Sequence, residues 1–121
     1  MTRLLGAIQN RHTRILGHPT GRLLLSRSGY PVDHRKLIEA CAEHGVAIEL
    51  NANPARLDLD YTWLPYAMEC GVLVAINPDA HSMAGIQDVQ YGVQVARKAG
   101  LRVDNCLNTM DIGRFLEWIS D

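Results

Sequence analysis

The sequence predicts an α/β protein built as a partial (β/α) barrel, with about three parallel strand–helix units. Two observations carry this. An apolar, β-rich run is followed by a helical pattern three times over, the order of a parallel sheet with crossover helices. The three strand exits, His18, Asn51 and Asn77, are 33 and 26 residues apart, close to the ~31 per unit of an eightfold barrel of about 250 residues. At 121 residues with 47% hydrophobic content, the chain has room for one modest domain.

In chain order, Thr2 to His12 sets Leu4, Leu5 and Ile8 on one helical face. Arg14 to His18 reads as a short strand halted by the turn-rich Pro19-Thr20-Gly21, which a helix does not cross. Gly21 to Ser28 reads as a short helix or turn closed by Gly29. Asp33 is placed to cap a helix with Leu37, Ile38 and Cys41 as its apolar stripe, ended by His44-Gly45. The second strand is Val46 to Asn51, left through Asn53-Pro54. Asp60 or Thr62 caps the next helix, which carries Leu64, Ala67 and Met68 and stops at Gly71. Val72 to Ile76 is the third strand. A longer helix over Ala84 to Lys98 ends at Gly100, a short one spans Val103 to Asn108, and an amphipathic one spans Asp111 to Ile119.

Twelve basic and thirteen acidic side chains give a formal charge of −1, which excludes binding nucleic acid by bulk charge. No apolar run approaches the roughly 20 residues of a membrane span, and Met1 to Leu5 lacks a secretory signal's apolar stretch, so no membrane contact and a cytoplasmic location are expected. Cys41, Cys70 and Cys106 are odd in number and widely spaced, as buried reduced thiols are.

Strand parity locates the chemistry. Leu73, Ala75, Asn77 and Asp79 share one face of the third strand, and Ala47, Glu49, Asn51 and Asn53 one face of the second. That face turns polar toward the strand ends. Leu16 and His18 share parity in the first strand, which directs His18 to the same mouth. In Asp79-Ala80-His81, extended backbone points the carboxylate and the imidazole together. Two imidazoles and a carboxylate suit Zn²⁺, Mn²⁺ or Fe²⁺ better than Mg²⁺ or Ca²⁺, which take oxygen shells. His12, His34 and His44, at helix ends and in a first helical turn, read as surface residues.

Four blocks in order make the wording specific: Gly17-His18-Pro19-Thr20-Gly21-Arg22-Leu23-Leu24, Ile48-Glu49-Leu50-Asn51-Ala52-Asn53-Pro54 with Arg56-Leu57-Asp58-Leu59, Ile76-Asn77-Pro78-Asp79-Ala80-His81-Ser82, and Tyr91-Gly92-Val93 before Ala96-Arg97. The chain resembles the C-terminal half of a PHP (polymerase and histidinol phosphatase) domain, closest to the one carried by bacterial family X DNA polymerases. The resemblance implies a distorted (β/α)7 barrel and a phosphoesterase dependent on a divalent metal, Mn²⁺ or Zn²⁺ or else Fe²⁺. In a full-length protein it implies 3′-5′ exonuclease or DNA end processing, with DNA or a phosphorylated substrate and a polymerase domain as partners. It assigns His18, Asp79 and His81 as metal ligands and places Glu49 and Asn51 along the cleft. Arg22 and Arg56, just past strand exits, are candidates to hold a phosphate. Pro78 departs from the hydroxyl residue expected there.

The family's His-x-His motif and the ligands of its second motif have no counterpart, so residues 1–121 are expected to be a single partial PHP domain lacking the N-terminal barrel strands, weakly active or inactive alone. Two other readings are a small-molecule phosphatase of the histidinol phosphate type and a non-catalytic interaction module. A partial barrel leaves sheet edges open, from which a homodimer is expected.

Overall fold

The computed structural model describes residues 1–120. Helix α1 (Thr2–Gln9) is followed by β1 (Ile15–Leu16), α2 (His34–His44), β2 (Ala47–Asn51), α3 (Leu64–Glu69), β3 (Val74–Asn77), α4 (Val89–Ala99) and α5 (Ile112–Ser120). The three strands form one open parallel sheet in the order β1-β2-β3. This is the α/β architecture expected from the sequence, with the strand–helix alternation of a partial barrel and no closure of the sheet among the described residues.

Local chemistry sets the boundaries. Asp33 caps α2 by accepting from the Lys36 backbone N–H at 3.1 Å, and Gly45 leaves the helix at φ 66°, a conformation that favours glycine. Asp60 caps a single 3-10 turn, Tyr61–Trp63, which leads into α3. The expected helix from Ala84 begins as a 3-10 turn and becomes α-helical only at Val89. Val103 to Thr109 forms two 3-10 turns in place of one short helix. The segment after Gly21 is a turn in which Leu23 and Arg27 pair through their backbones.

The helix-covered face of the sheet is the main core. Ile48, Leu50, Val74 and Ile76 pack there with Leu37, Ile38 and Cys41 of α2, Leu64 and Ala67 of α3, and Ala96 of α4. Leu16 belongs to this face as well, since its register partner is Ile48. The parity reading of the first strand is therefore corrected: Ile15, partner of Ala47, faces the other side. His18 cannot inherit its direction from Leu16, because the strand ends there.

The opposite face is not an open mouth along its whole length. Ala47 and Ala75 are covered by Leu107, Met110, Phe115 and Trp118, which brings α5 across the sheet. Arg14 ties the two together, its Nε donating to the Ile119 carbonyl at 3.0 Å. Only the C-terminal ends of the strands stay polar. One of the two expected open edges is also filled, since Cys106 bridges to Val74 and the Asn108 side chain pairs with the backbone of Ile76. No helix among the described residues is long and apolar enough to cross a membrane.

Candidate active site

The site is built where β2 and β3 end and the chain after β1 turns. Glu49 and Asn51 are register partners of Ala75 and Asn77, so both strands deliver polar side chains to one end of the sheet. Beyond β2 the chain doubles back. Asn51 N–H donates to the Asp58 carbonyl at 2.6 Å, and Leu59 N–H to the Glu49 carbonyl at 3.2 Å, so residues 58–59 extend the sheet locally in the antiparallel sense.

Asn51 is fully buried and acts as a bridge. Its side-chain oxygen accepts from Asn53 N–H at 3.0 Å, and its Nδ2 donates to Asp79 Oδ2 at 3.2 Å. With its carboxamide used in this way, Asn51 orients Asp79. The Arg56 Nε stands 3.5 Å from the same Asp79 oxygen. Asp79 lies past the end of β3 with φ +54°, the left-handed region that costs about 1–2 kcal/mol and that Asp tolerates better than most residues.

Asp79 and His81 do come together, though the extended i, i+2 geometry is not the cause. The left-handed turn at Asp79 brings the His81 imidazole back, with Nδ1 2.7 Å from the Asp79 carbonyl oxygen and 3.9 Å from Asp79 Oδ1. The His81 side chain is 82% exposed, free to meet a ligand from solvent.

His18 is also exposed and is anchored through its backbone, with its N–H donating to Glu49 Oε2 at 3.3 Å. Gly17 permits this approach, since a Cβ there would stand 3.0 Å from the Glu49 oxygen. Burial pushes the Glu49 carboxyl above its ordinary value, the Asp79 charge adds to the shift, and the hydrogen bond and charge of His18 oppose it.

Arg22, expected at a phosphate, is turned inward. Its guanidinium donates to Asp60 Oδ1 at 2.9 Å, to the Arg56 carbonyl at 2.8 Å and to the Leu57 carbonyl, clamping the loop after β1 to the loop after β2. His34, expected on the surface, is half-buried and stacks on Trp63 with ring centroids 5.0 Å apart.

Sequence reasoning assigned no role to Asp58. It is fully buried, and its Oδ2 accepts from Thr20 N–H at 3.0 Å, Thr20 Oγ1 at 2.9 Å and Gly21 N–H at 2.9 Å. The signal was available: an acidic residue between Leu57 and Leu59, close in sequence to Arg56, is poorly explained as ordinary loop.

A metal centre needs several donors converging on one point. Asp79 and His81 make one pair, while the contact of His18 with Glu49 is made by its backbone N–H. Among the described residues no group of three or more His, Cys, Asp or Glu side chains is spaced to hold an ion. On their own these residues do not fit a three-ligand centre.

An open parallel sheet with acidic, amide and imidazole groups at its strand ends is the arrangement the PHP resemblance calls for, and comparison with known proteins is consistent with it: the chain is similar to part of a bacterial family X DNA polymerase and to part of several probable phosphatases. It is 45% identical over 120 residues to the DNA polymerase/3′-5′ exonuclease PolX of Bacillus subtilis (strain 168), which covers 97% of the chain and 21% of that protein. It is 28% identical over 124 residues to a probable phosphatase of Thermoanaerobacter sp. (strain X514), covering 98% of the chain and 48% of that protein. A probable phosphatase of Vibrio parahaemolyticus is 26% identical over 126 residues, covering 96% of the chain and 47% of that protein. The chain thus spans from a fifth to about half of these relatives. No protein-family model matches it.

Proposed function

We propose that the chain is part of a PHP-type phosphoesterase that hydrolyses phosphodiester or phosphomonoester bonds, and that in a longer protein it serves 3′-5′ exonuclease or DNA end-processing chemistry. The observation that carries this reading is the 45% identity to the polymerase/exonuclease, running through the segments that supply every strand-end residue of the site. The probable phosphatases favour a second reading, a phosphatase acting on a small phosphorylated molecule. The two differ in substrate and share the bond broken.

Within the site, the chain's own residues have separable tasks. Asn51 fixes the Asp79 carboxylate, and Arg56 places a guanidinium beside it where a phosphate oxygen can be met. Glu49 holds the turn that presents His18, and its raised pKa suits it to carry a proton near the cleft. A divalent cation, Mn²⁺, Zn²⁺ or Fe²⁺, belongs to the proposal, with Asp79 and His81 as this chain's nearest pair of donors and further donors needed from elsewhere. When bound, such an ion polarises a phosphoryl oxygen. The proposed partners are DNA or another phosphorylated substrate, a polymerase domain on a longer chain, and a second copy of this chain across the β1 edge.

The test is a phosphodiesterase and phosphomonoesterase assay on this chain and on an N-terminally extended protein, each compared with its Asp79→Asn and His81→Ala variants. The extended protein is expected to be active and the variants to lose at least ~100-fold, the scale of a lost catalytic group. Activity that survives both substitutions sinks the assignment.

A further inference from the structure

Charge in this chain is unevenly placed. Residues 1–32 hold five arginines and no acidic side chain, so this part carries +5 in a chain whose formal charge is −1. The first acidic residue, Asp33, is engaged as the cap of α2. Arg14 and Arg22 are engaged in the fold, tied to the Ile119 carbonyl and to the loop after β2. Arg3, Arg11 and Arg27 are exposed, and among the described residues none of the three is ion-paired with a carboxylate. Beside Arg3 lies a cleft of about 550 Å³, within the range of ligand sites, walled by Met1, Arg3 and Leu4 on one side and Tyr30, Pro31 and Val32 on the other. Tyr30 is presented here, 69% exposed. Its backbone N–H donates to the Thr20 carbonyl at 2.7 Å, and its ring edge lies against Gly21, where a Cβ would stand 3.0 Å from Cε2. Gly29 precedes it at φ +89°, and a Cβ there would fall 2.8 Å from the Thr20 carbonyl oxygen, so the close approach that sets the ring needs glycine. The Gly21 N–H donates in turn to the His18 carbonyl at 2.9 Å, which fixes Tyr30 to the turn that presents His18.

We propose that the Tyr30 cleft is a subsite for one nucleobase of single-stranded DNA, stacked on the phenol ring while Arg3, on the cleft wall, meets a flanking phosphate. This rests on the reading of the strand end as a phosphoesterase site acting on DNA and adds where the strand runs beyond it. Two observations select this occupant. An exposed aromatic ring beside a guanidinium with no carboxylate partner offers stacking and phosphate contact together, the combination that holds a strand without reading its sequence. The acid-free part of the chain also contains both the cleft and the His18 turn, so a polyanion passing from one to the other meets no carboxylate of this segment. A small phosphorylated molecule held at the strand end has no use for the cleft, so Tyr30 separates a polynucleotide substrate from a small one.

The experiment measures, by fluorescence anisotropy at low salt, binding of a fluorescein-labelled oligothymidylate and of the matching abasic oligomer to the full chain. Wild type is compared with Tyr30→Ala, Tyr30→Phe and Arg3→Gln, with circular dichroism to confirm folding. Tyr30→Ala is expected to weaken oligothymidylate binding roughly 5- to 100-fold, the scale of one stacked base, and to leave the abasic oligomer within about twofold. Tyr30→Phe keeps the ring and is expected to bind as the wild type does. Arg3→Gln is expected to weaken both oligomers and to reduce the salt slope by about 0.7, one phosphate contact. Oligothymidylate affinity in Tyr30→Ala equal to wild type overturns the proposal, as does an equal loss for both oligomers, or a wild-type chain that binds neither. A dimer seen by light scattering that Tyr30→Ala breaks up, with oligothymidylate unbound, assigns the cleft to a second copy and overturns it too. The N-terminally extended protein separates this proposal from the phosphoesterase reading. Hydrolysis of oligothymidylate with a KM that Tyr30→Ala leaves unchanged overturns the subsite alone. Binding that follows the expected pattern, with no hydrolysis by the extended protein, supports the subsite and overturns the phosphoesterase reading.

Discussion

The Asn108 carboxamide pairs with both backbone polar groups of Ile76, its Oδ1 accepting from the N–H at 2.7 Å and its Nδ2 donating to the carbonyl at 2.8 Å. A side chain thereby does at the edge of β3 what a neighbouring strand would do. Asn108→Ala leaves both groups of Ile76 without these partners beside the core, and is expected to destabilise the fold by about 1–3 kcal/mol. Asn108→Asp keeps the acceptor, loses the donor and sets a negative charge against the carbonyl, so it is expected to be no milder. Urea denaturation of the two variants checks both.

Gly92 sits in α4 where the helix meets the sheet. A methyl group there would fall 2.6 Å from both Ala52 Cβ and Ile76 Cγ2, and the alanine methyl has no rotamer to escape into. Gly92→Ala is expected to cost about 1–3 kcal/mol by forcing the helix outward. A melting temperature equal to the wild type would contradict this contact.

Cys41 is fully buried on the core-facing side of α2, and burial pushes its thiol up to about 12. Its thiolate is scarce at mildly alkaline pH, so Cys41 is expected to resist iodoacetamide in the folded protein and to react once urea unfolds it. Cys70, which is only half-buried, is expected to label first. Peptide mass spectrometry distinguishes the three thiols.

Burial lowers the His34 pKa from 6.5, with Asp58 and Asp60 pulling upward and Arg22 adding to the fall. The unfolded chain therefore takes up this proton at a higher pH than the folded one. Stability from the neutral imidazole is complete above pH 6.5 and is lost as pH falls through the lowered folded value. His34→Phe keeps a ring against Trp63 and removes the titration, so its melting temperature is expected to fall less over that acidic range.

Much of this structure was legible because local signals agreed with tertiary need. Asp33 and Gly45 bound α2, and the run ending at Ile76 forms a strand, because capping chemistry and apolar periodicity demanded nothing else there. The strand-end polar residues were found for the same reason: Glu49 and Asn51 interrupt an apolar alternation. What sequence could not supply was the length of β1. A strand of two residues carries no parity as far as His18, whose position depends on a turn and on Glu49. The clamp made by Arg22 was not legible, because its partners, Asp60 and the carbonyls of Arg56 and Leu57, lie more than thirty residues away. The cover that α5 places over the inner face was hidden in the same way, since amphipathicity shows that a helix has a sticky side without saying what it will meet.

The Asp58 carboxylate makes the two loops of the site a single lever. Its Oδ2 receives Thr20 and Gly21 from the loop that presents His18, while its own carbonyl is bonded to Asn51, the residue that orients Asp79. One buried residue that touches neither imidazole therefore joins the loop that presents His18 to the side chain that orients Asp79.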